Sequence, residues 1–124
     1  MPNYTEFNTR QSHNWCLTWN NPPHDAFEIL AALYDPEVFS YIVAGWEIAP
    51  STGTEHLQMF VQFVVKKRLQ SVRRMFPGTF AAPMNTTAIN AAVYCKKDQQ
   101  YCEFGTLISN TTTNACKFQQ FIDQ

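Results

Sequence analysis

The chain has 124 residues, 45% of them hydrophobic and 15% aromatic, which suits one domain with a packed core. Because its first twelve residues are polar we expect no signal peptide, and because no apolar run approaches the roughly 20 residues of a membrane helix we expect a soluble intracellular protein. The net charge of −1 excludes a protein that binds nucleic acid through a uniformly basic surface.

The charge is, however, segregated along the chain. Residues 1–65 contain seven acidic side chains and a single base, Arg10. Residues 66–97 contain no acidic side chain and seven bases, two of which are Lys96 and Lys97. We therefore expect one part of the surface to attract a polyanion although the average charge is slightly negative.

Predicted strands and helices alternate along the first half of the chain. Large apolar and polar side chains alternate over residues 13–20 and predict a strand, which an Asn-Asn-Pro-Pro sequence ends. Apolar side chains recur at steps of three and four over residues 24–34 and predict a helix. Residues 38–48 and 56–65 are rich in β-branched and aromatic types, and the turn cluster at 50–54 predicts that they form an antiparallel hairpin.

The second half continues this alternation. Residues 68–76 have helical spacing, a Pro-Gly sequence follows them, and residues 79–84 predict a short strand. Residues 86–97 predict a further helix and residues 101–107 a last strand. The order β-α-β-β-α-β-α-β predicts an α+β fold, a ferredoxin-like or RRM-like sandwich with a central antiparallel sheet of about five strands and helices packed on it.

The composition changes after the last predicted strand. Residues 109–114 have the Ser, Thr and Asn content of a linker, and residues 116–122 begin an apolar pattern that stops near the end of the chain. We expect one domain over residues 1–108. Residues 109–124 would be a linker and the start of a following segment, truncated from a longer chain.

Three polar side chains converge on one face of the predicted hairpin. His56 and Gln58 are two residues apart on a strand and therefore project from the same face, whereas their apolar neighbours point to the core. The turn sets Glu47 within a residue or two of the position opposite His56. An imidazole, a carboxylate and an amide oxygen together favour Mn²⁺ or Mg²⁺ over structural Zn²⁺ and leave positions open for phosphate oxygens.

The last predicted helix carries a nucleophile. Its N-cap would be Asn85 or Thr86. Asn90, Tyr94 and Lys97 lie at i, i+4 and i+7 on one stripe, so the Lys97 ammonium can favour the phenolate form of Tyr94. The apolar stripe expected to face the core consists of Ala88, Ile89, Ala92 and Val93.

Three motifs occur here in an order and spacing that a known superfamily shares. They are Cys16-Leu17-Thr18-Trp19-Asn20-Asn21, His56-Leu57-Gln58 and Tyr94-x-x-Lys97. They resemble the motifs of replication initiators of the HUH endonuclease superfamily, in particular the nicking domain of Rep proteins of circular single-stranded DNA viruses of the circovirus-like kind. The resemblance departs from the family pattern at Gln58, which stands for the second histidine, and at Met59, which stands for the usual glycine.

The resemblance implies a role for each matching residue. Glu47, His56 and Gln58 would bind the divalent metal, Tyr94 would be the nucleophile and Lys97 would assist it. The implied reaction is cleavage and rejoining of single-stranded DNA at a stem-loop replication origin, through a 5′-phosphotyrosine intermediate that frees a 3′-hydroxyl for rolling-circle synthesis. The resemblance also implies a C-terminal ATP-dependent helicase in the missing part of the chain, oligomerisation through that part, and action in the host cell nucleus.

Other residues are predicted to contact DNA. Thr18 and Asn20 lie on the strand expected at the centre of the sheet, where they would contact DNA or shape the site. A basic cluster at the end of the metal-binding strand could follow a nucleic-acid backbone or serve nuclear import. This basic cluster consists of Lys66, Lys67, Arg68, Arg73 and Arg74. Four strand aromatics could stack on bases or belong to the core, namely Trp15, Trp19, Tyr41 and Trp46.

Alternative functions remain open from the sequence. A non-catalytic RRM-like domain that binds single-stranded nucleic acid would share the order of elements and would also use basic and aromatic side chains, but it leaves His56, Gln58 and Tyr94 unexplained. A structural metal module makes no use of Tyr94 and lacks a closed set of four ligands. A metallohydrolase would attack with water and form no covalent adduct with DNA.

Overall fold

The computed structural model describes residues 10–98 and 100–109 of the chain. The order of elements confirms the predicted α+β fold. The predicted linker and following segment lie outside the described residues, except for Ser109. The elements are β1 Gln11–Asn20, α1 Ala26–Leu33, β2 Phe39–Ile48, β3 Glu55–Arg68, α2 Leu69–Met75, β4 Thr79–Pro83, α3 Ala88–Cys95 and β5 Tyr101–Gly105.

The five strands form one sheet in the order β4-β1-β3-β2-β5, and every neighbouring pair is antiparallel. The central position belongs to β3, which has 14 residues. The expectation that Thr18 and Asn20 lie on the central strand is therefore wrong, because β1 lies one position away, between β3 and β4. The hairpin of β2 and β3 forms as predicted.

Each face of the sheet has its own apolar core. Along β3, Leu57, Met59 and Val61 are fully buried on the face that α1 and α2 cover, in a cluster that also contains Trp15 and Phe39. A smaller cluster lies on the other face, under α3, and consists of Tyr41, Val43, Phe60, Ala88, Ala91, Ala92 and Cys95. Because side chains alternate along a strand, His56 and Gln58 share this second face.

The register of α3 differs from the prediction. The predicted N-cap was wrong, since Thr87 caps the helix and its side chain accepts a hydrogen bond from the Asn90 N–H. Ile89 and Val93 were expected in the core but are 39% and 60% exposed. The buried positions of the helix are Ala88, Ala91, Ala92 and Cys95. These side chains are small, and they let α3 lie close to the sheet.

Candidate active site

Polar side chains gather where the β2–β3 hairpin meets the end of β1. Residues that are direct partners on antiparallel strands have their side chains on the same face. Glu47 is the direct partner of His56, as the hairpin predicted. Two neighbouring rows cross β2, β3 and β1 here, one formed by Glu47, His56 and Asn20 and the next by Gly45, Gln58 and Thr18.

Glu47 links the two halves of the site. His56 Nε2 lies 3.0 Å from Glu47 Oε1, and Lys97 Nζ donates a hydrogen bond to the other oxygen of the same carboxylate. Only 12% of the Glu47 side chain is exposed. Burial of the Lys97 ammonium acts to lower its pKa, but the hydrogen bond and the negative charge of Glu47 outweigh it, so the pKa is raised. Lys97 therefore stays protonated.

Tyr94 is the exposed neighbour of this ion pair. The side chain is 49% exposed, and the Lys97 ammonium lies 4.4 Å from the centre of its ring. Such a cation–π contact contributes about 0.5–1 kcal/mol at an exposed site. Lys97 lies in the turn after α3, so this turn holds one cation between the phenol of Tyr94 and the carboxylate of Glu47. A phenol and a cation are thus adjacent.

Gly45 makes this proximity sterically possible, and the sequence prediction missed it. A Cβ atom on Gly45 would lie 1.6 Å from the carbonyl oxygen of Cys95, the last residue of α3. The next strand residue, Trp46, donates its N–H to the Gln100 carbonyl at 2.8 Å. A glycine inside an apolar strand is a signal for close approach of another backbone, and it could have been recognised.

Gln58 lies beside the ion pair. Thr18 Oγ1 donates a long hydrogen bond of 3.4 Å to Gln58 Oε1. Gln58 also lines an open cavity of about 390 Å³ between α3 and the sheet, and Tyr94 lines the same cavity. Within residues 10–98 and 100–109, no group of three His, Cys, Asp or Glu side chains is placed to hold a metal. A metal at Glu47 and His56 would therefore need the Gln58 amide as a third protein ligand.

A second acidic residue, Glu103, holds the end of α3 through Lys96. Glu103 on β5 accepts hydrogen bonds from the buried Tyr41 hydroxyl and, at 3.1 Å, from Lys96 Nζ. The Tyr41 hydrogen bond lowers the pKa of Glu103 against the opposing effect of burial, and the Lys96 ammonium lowers it further. Lys96 is therefore bound to Glu103 on β5, whereas Lys97 is bound to Glu47 on β2.

Two thiols, Cys16 and the buried Cys95, lie beside the cavity at this helix end, whereas Cys102 packs on the opposite face of the sheet. All three are free cysteines in the described part of the chain. Burial raises the pKa of the Cys95 thiol to about 12, and it also raises the pKa of Cys16. Both thiols are therefore neutral and form an uncharged lining beside Gln58 and Tyr94.

The basic cluster lies far from these residues. Lys66 is ten residues after His56 along β3, a separation of roughly 33 Å at about 3.3 Å per residue. Arg73 and Arg74 occupy the last turn of α2, whose buried residues belong to the core on the other face of the sheet. The structure thus brings Thr18, Asn20, Glu47, His56, Gln58, Tyr94 and Lys97 together and leaves the basic cluster apart.

The predicted strand aromatics are core residues. Trp15 and Tyr41 are 0% and 1% exposed. Trp19 and Trp46 pack against the core on the face opposite α3. Phe80 of β4 is an exposed aromatic beside the site; it is the direct partner of Thr18 and is 68% exposed. Sequence reasoning missed Phe80 because nothing local indicates which strand is its neighbour.

Comparison with known proteins identifies the family. Residues 12–98 match the family described as "Putative viral replication protein" (Viral_Rep), and this range includes every residue of the site. The chain belongs to this viral replication protein family. The match confirms the resemblance to Rep proteins of circular single-stranded DNA viruses.

Individual relatives agree with this membership. The chain is 32% identical over 84 residues to the replication-associated protein of Beak and feather disease virus, covering 68% of the chain and 28% of that protein. The replication-associated protein of Pigeon circovirus is 31% identical over 84 residues, covering 68% and 26%. Para-Rep C2 of Milk vetch dwarf C2 alphasatellite is 35% identical over 65 residues, covering 52% and 23%. Membership of this family supports a role in viral replication. The chain spans only about a quarter of the length of these relatives.

No helix in the described part of this viral replication protein is long and apolar enough to cross a membrane.

Proposed function

We propose that this domain is a single-stranded DNA endonuclease and strand-rejoining enzyme that initiates rolling-circle replication. The observation that supports it most strongly is the contact of Lys97 with both Tyr94 and Glu47. It joins a nucleophile on α3 to the Glu47–His56 pair of the hairpin, 3.0 Å apart. An RRM-type domain that only binds nucleic acid does not require this combination of a phenol, an ammonium and a carboxylate–imidazole pair.

The proposed reaction exchanges one phosphate ester for another. The Tyr94 phenol loses its proton and its oxygen attacks the phosphorus of a phosphodiester. The bond from phosphorus to the 3′ oxygen breaks, and that oxygen takes up a proton to become the free 3′-hydroxyl. The 5′ phosphate remains bound to Tyr94. Attack of a 3′-hydroxyl on this ester restores the DNA and the phenol, so rejoining requires no nucleotide cofactor.

Lys97 has a defined part in this scheme. Its ammonium lies 4.4 Å from the centre of the Tyr94 ring, beside the proposed nucleophile. Negative charge accumulates on the phosphate oxygens during attack, and a fixed cation stabilises it. This effect requires that Lys97 stays charged, and its raised pKa ensures this.

Glu47, His56 and Gln58 would hold a divalent metal. One carboxylate, one imidazole and one amide oxygen suit Mn²⁺ or Mg²⁺, and Glu47 already accepts a cation, the Lys97 ammonium. When bound, such an ion supplies positive charge to the non-bridging oxygens of the phosphate. The neutral Gln58 contributes less to metal affinity than a second imidazole would.

A covalent adduct tests the proposal. The domain is incubated with Mn²⁺ and a single-stranded oligonucleotide that carries the origin stem-loop of its own genome, and the products are separated on a denaturing gel. We expect a protein band shifted by the mass of the 3′ fragment, a peptide modified at Tyr94, and a released 5′ fragment that a polymerase can extend. Nicking without an adduct would identify a metallohydrolase, and binding without nicking would identify an RRM-like binder.

Replacing either predicted ligand is expected to separate activity from folding. His56→Ala and Gln58→Ala should each slow adduct formation at least about a hundredfold, since even groups that only support metal ligands contribute 10–100-fold. Both side chains are only partly buried polar residues, so the melting temperature should stay close to that of the unchanged domain. The rate is measured as a function of Mn²⁺ concentration.

A neighbouring substitution serves as the control for these variants. Glu55→Ala removes an exposed carboxylate on the same strand, one that accepts a hydrogen bond from Trp46 on the opposite face. It should leave the Mn²⁺ dependence unchanged. Unfolding of both His56→Ala and Gln58→Ala would instead assign these residues a structural role.

The remaining implications of the family are proposals as well. We propose that residues 1–108 are the nicking domain of a longer initiator in which a helicase follows a linker at 109–124, and in which oligomerisation uses that C-terminal region. The greater length of the relatives supports this. The basic cluster, Lys66 to Arg74, supports backbone contact with DNA outside the nicking site and action in the host nucleus.

A further inference from the structure

The cavity beside Tyr94 is lined partly by residues that have no role in the proposed nicking reaction, such as Asn85, Thr86 and Asn90. It measures about 390 Å³ and lies between α3 and the face of the sheet that carries Gln58. Pockets for small molecules range from roughly 300 to 1,000 Å³, so this one is of the size for a single small group. On the helix side its lining extends from Asn85, which precedes α3, to Cys95, the last residue of α3.

The cavity is uncharged. None of the residues that line it is acidic or basic. A phosphate would need cationic donors or a row of free backbone N–H groups, and the nearest cations, Lys96 and Lys97, are directed to Glu103 and Glu47. The cavity therefore suits a neutral group rather than the DNA backbone.

Amides and a hydroxyl form its rim. Asn85, Thr86 and Asn90 are exposed and line the cavity, while its deeper parts are the small side chains of Ala91 and Cys95. Asn90 Nδ2 donates to Thr86 Oγ1 at 3.3 Å, which leaves the Asn90 carbonyl oxygen without a partner within the described part of the chain. An amide offers a donor and an acceptor side by side, which is the pattern that pairs with the edge of a nucleobase.

The position of Tyr94 determines which base can reach the cavity. If the phenol oxygen bonds to the scissile phosphorus, the two nucleotides joined by that phosphate lie directly beside the cavity that Tyr94 also lines. Sequence-specific recognition of single strands uses unstacked bases that are turned into such pockets and hydrogen-bonded along their edges.

We infer that this cavity binds the base of one nucleotide flanking the scissile phosphate, and that Asn90 and Asn85 read the edge of that base. Gln58 lies at the sheet side of the same cavity and closes it from below. The inference rests on the proposed nicking function, because Tyr94 must engage the phosphate for a flanking base to lie here. Asn90 and Asn85 then determine specificity and take no part in the chemistry.

A library experiment tests this reading. The domain and Mn²⁺ are incubated with single-stranded DNA that has a randomised central segment, and both products are sequenced. The DNA bound to protein gives the nucleotide on the 5′-phosphate side, and the released fragments give the nucleotide on the 3′-hydroxyl side. For the unchanged domain we expect one base to be enriched at one of these two positions.

Two variants and a control complete the test. Asn90→Ala and Asn85→Ala should each reduce that enrichment about tenfold, the discrimination expected from a good amide–base pair, while still forming adducts. Val93→Ala, an exposed position of α3 outside the cavity, should leave the enrichment unchanged. The inference would be overturned by unchanged enrichment in both Asn variants. It would also be overturned if these variants lost adduct formation equally for all sequences. An absence of adducts in every protein would overturn the nicking proposal itself.

Discussion

Tyr94→Phe is expected to abolish the covalent protein–DNA adduct while leaving single-stranded DNA binding unchanged. The variant removes one oxygen and keeps the ring that contacts Lys97, so the cation–π contact and the position of the ammonium are retained. Without the oxygen no ester can form. Loss of a covalent nucleophile reduces turnover by about 10⁴-fold or more. Adduct yield on a denaturing gel and DNA affinity measured in solution are compared for the two proteins.

The chain provides a matched control for this substitution. Tyr101 of β5 is exposed to a similar degree, 42% against 49%, and a lysine, Lys96, also lies over its ring, at 5.7 Å. It is the direct partner of Gly45, in the same row of the sheet as Gln58. Tyr101→Phe should therefore form adducts at the normal rate. An adduct that survives Tyr94→Phe and disappears in Tyr101→Phe would transfer the role of nucleophile to Tyr101.

The elements were predictable from the sequence because their signals are local. Alternation over β1, β2 and β3 and the turn cluster between residues 50 and 54 specify strands and a hairpin within short segments. The order β4-β1-β3-β2-β5 depends on pairings between distant strands, which local patterns do not encode. The buried face of α3 was mispredicted for a related reason, since Ile89 and Val93 are the more hydrophobic choice but the tight contact with the sheet admits only small residues.

The candidate site was predictable where it lies within one hairpin or one helix turn. The pairing of Glu47 with His56 follows from the length of the turn that joins them. The proximity of Tyr94 and Lys97 follows from their separation of three residues, across the turn in which the Lys97 N–H donates to the Tyr94 carbonyl. The contact of Lys97 with Glu47 spans 50 residues and has no local signal. The basic cluster begins on the strand that carries His56 and Gln58, but the 14 residues of β3 place it at the other end of the sheet.

Gly45→Ala is expected to lower both stability and activity, because the added methyl group has no space. Its carbon would lie 1.6 Å from the Cys95 carbonyl oxygen, and that neighbour is backbone, which cannot rotate away as a side chain can. The free energy of unfolding should fall by about 3 kcal/mol, the upper part of the usual range for overpacking. Chemical denaturation measures this change.

The activity of Gly45→Ala carries the stronger test of the site. Relief of the contact requires the end of α3 to move by roughly 1 Å or more, and a displacement of that size at a catalytic group lowers rates about a hundredfold. The rate of adduct formation should therefore fall that far under conditions where the variant is still folded. Gly78→Ala is the control, because an added Cβ at Gly78 has no atom within 4 Å and only the positive φ of 82° disfavours alanine there. It should lose about 1 kcal/mol of stability and no activity. Normal stability and a normal rate of adduct formation in Gly45→Ala would show that α3 is not packed against β2. That result would also contradict the contact between Lys97 and Glu47.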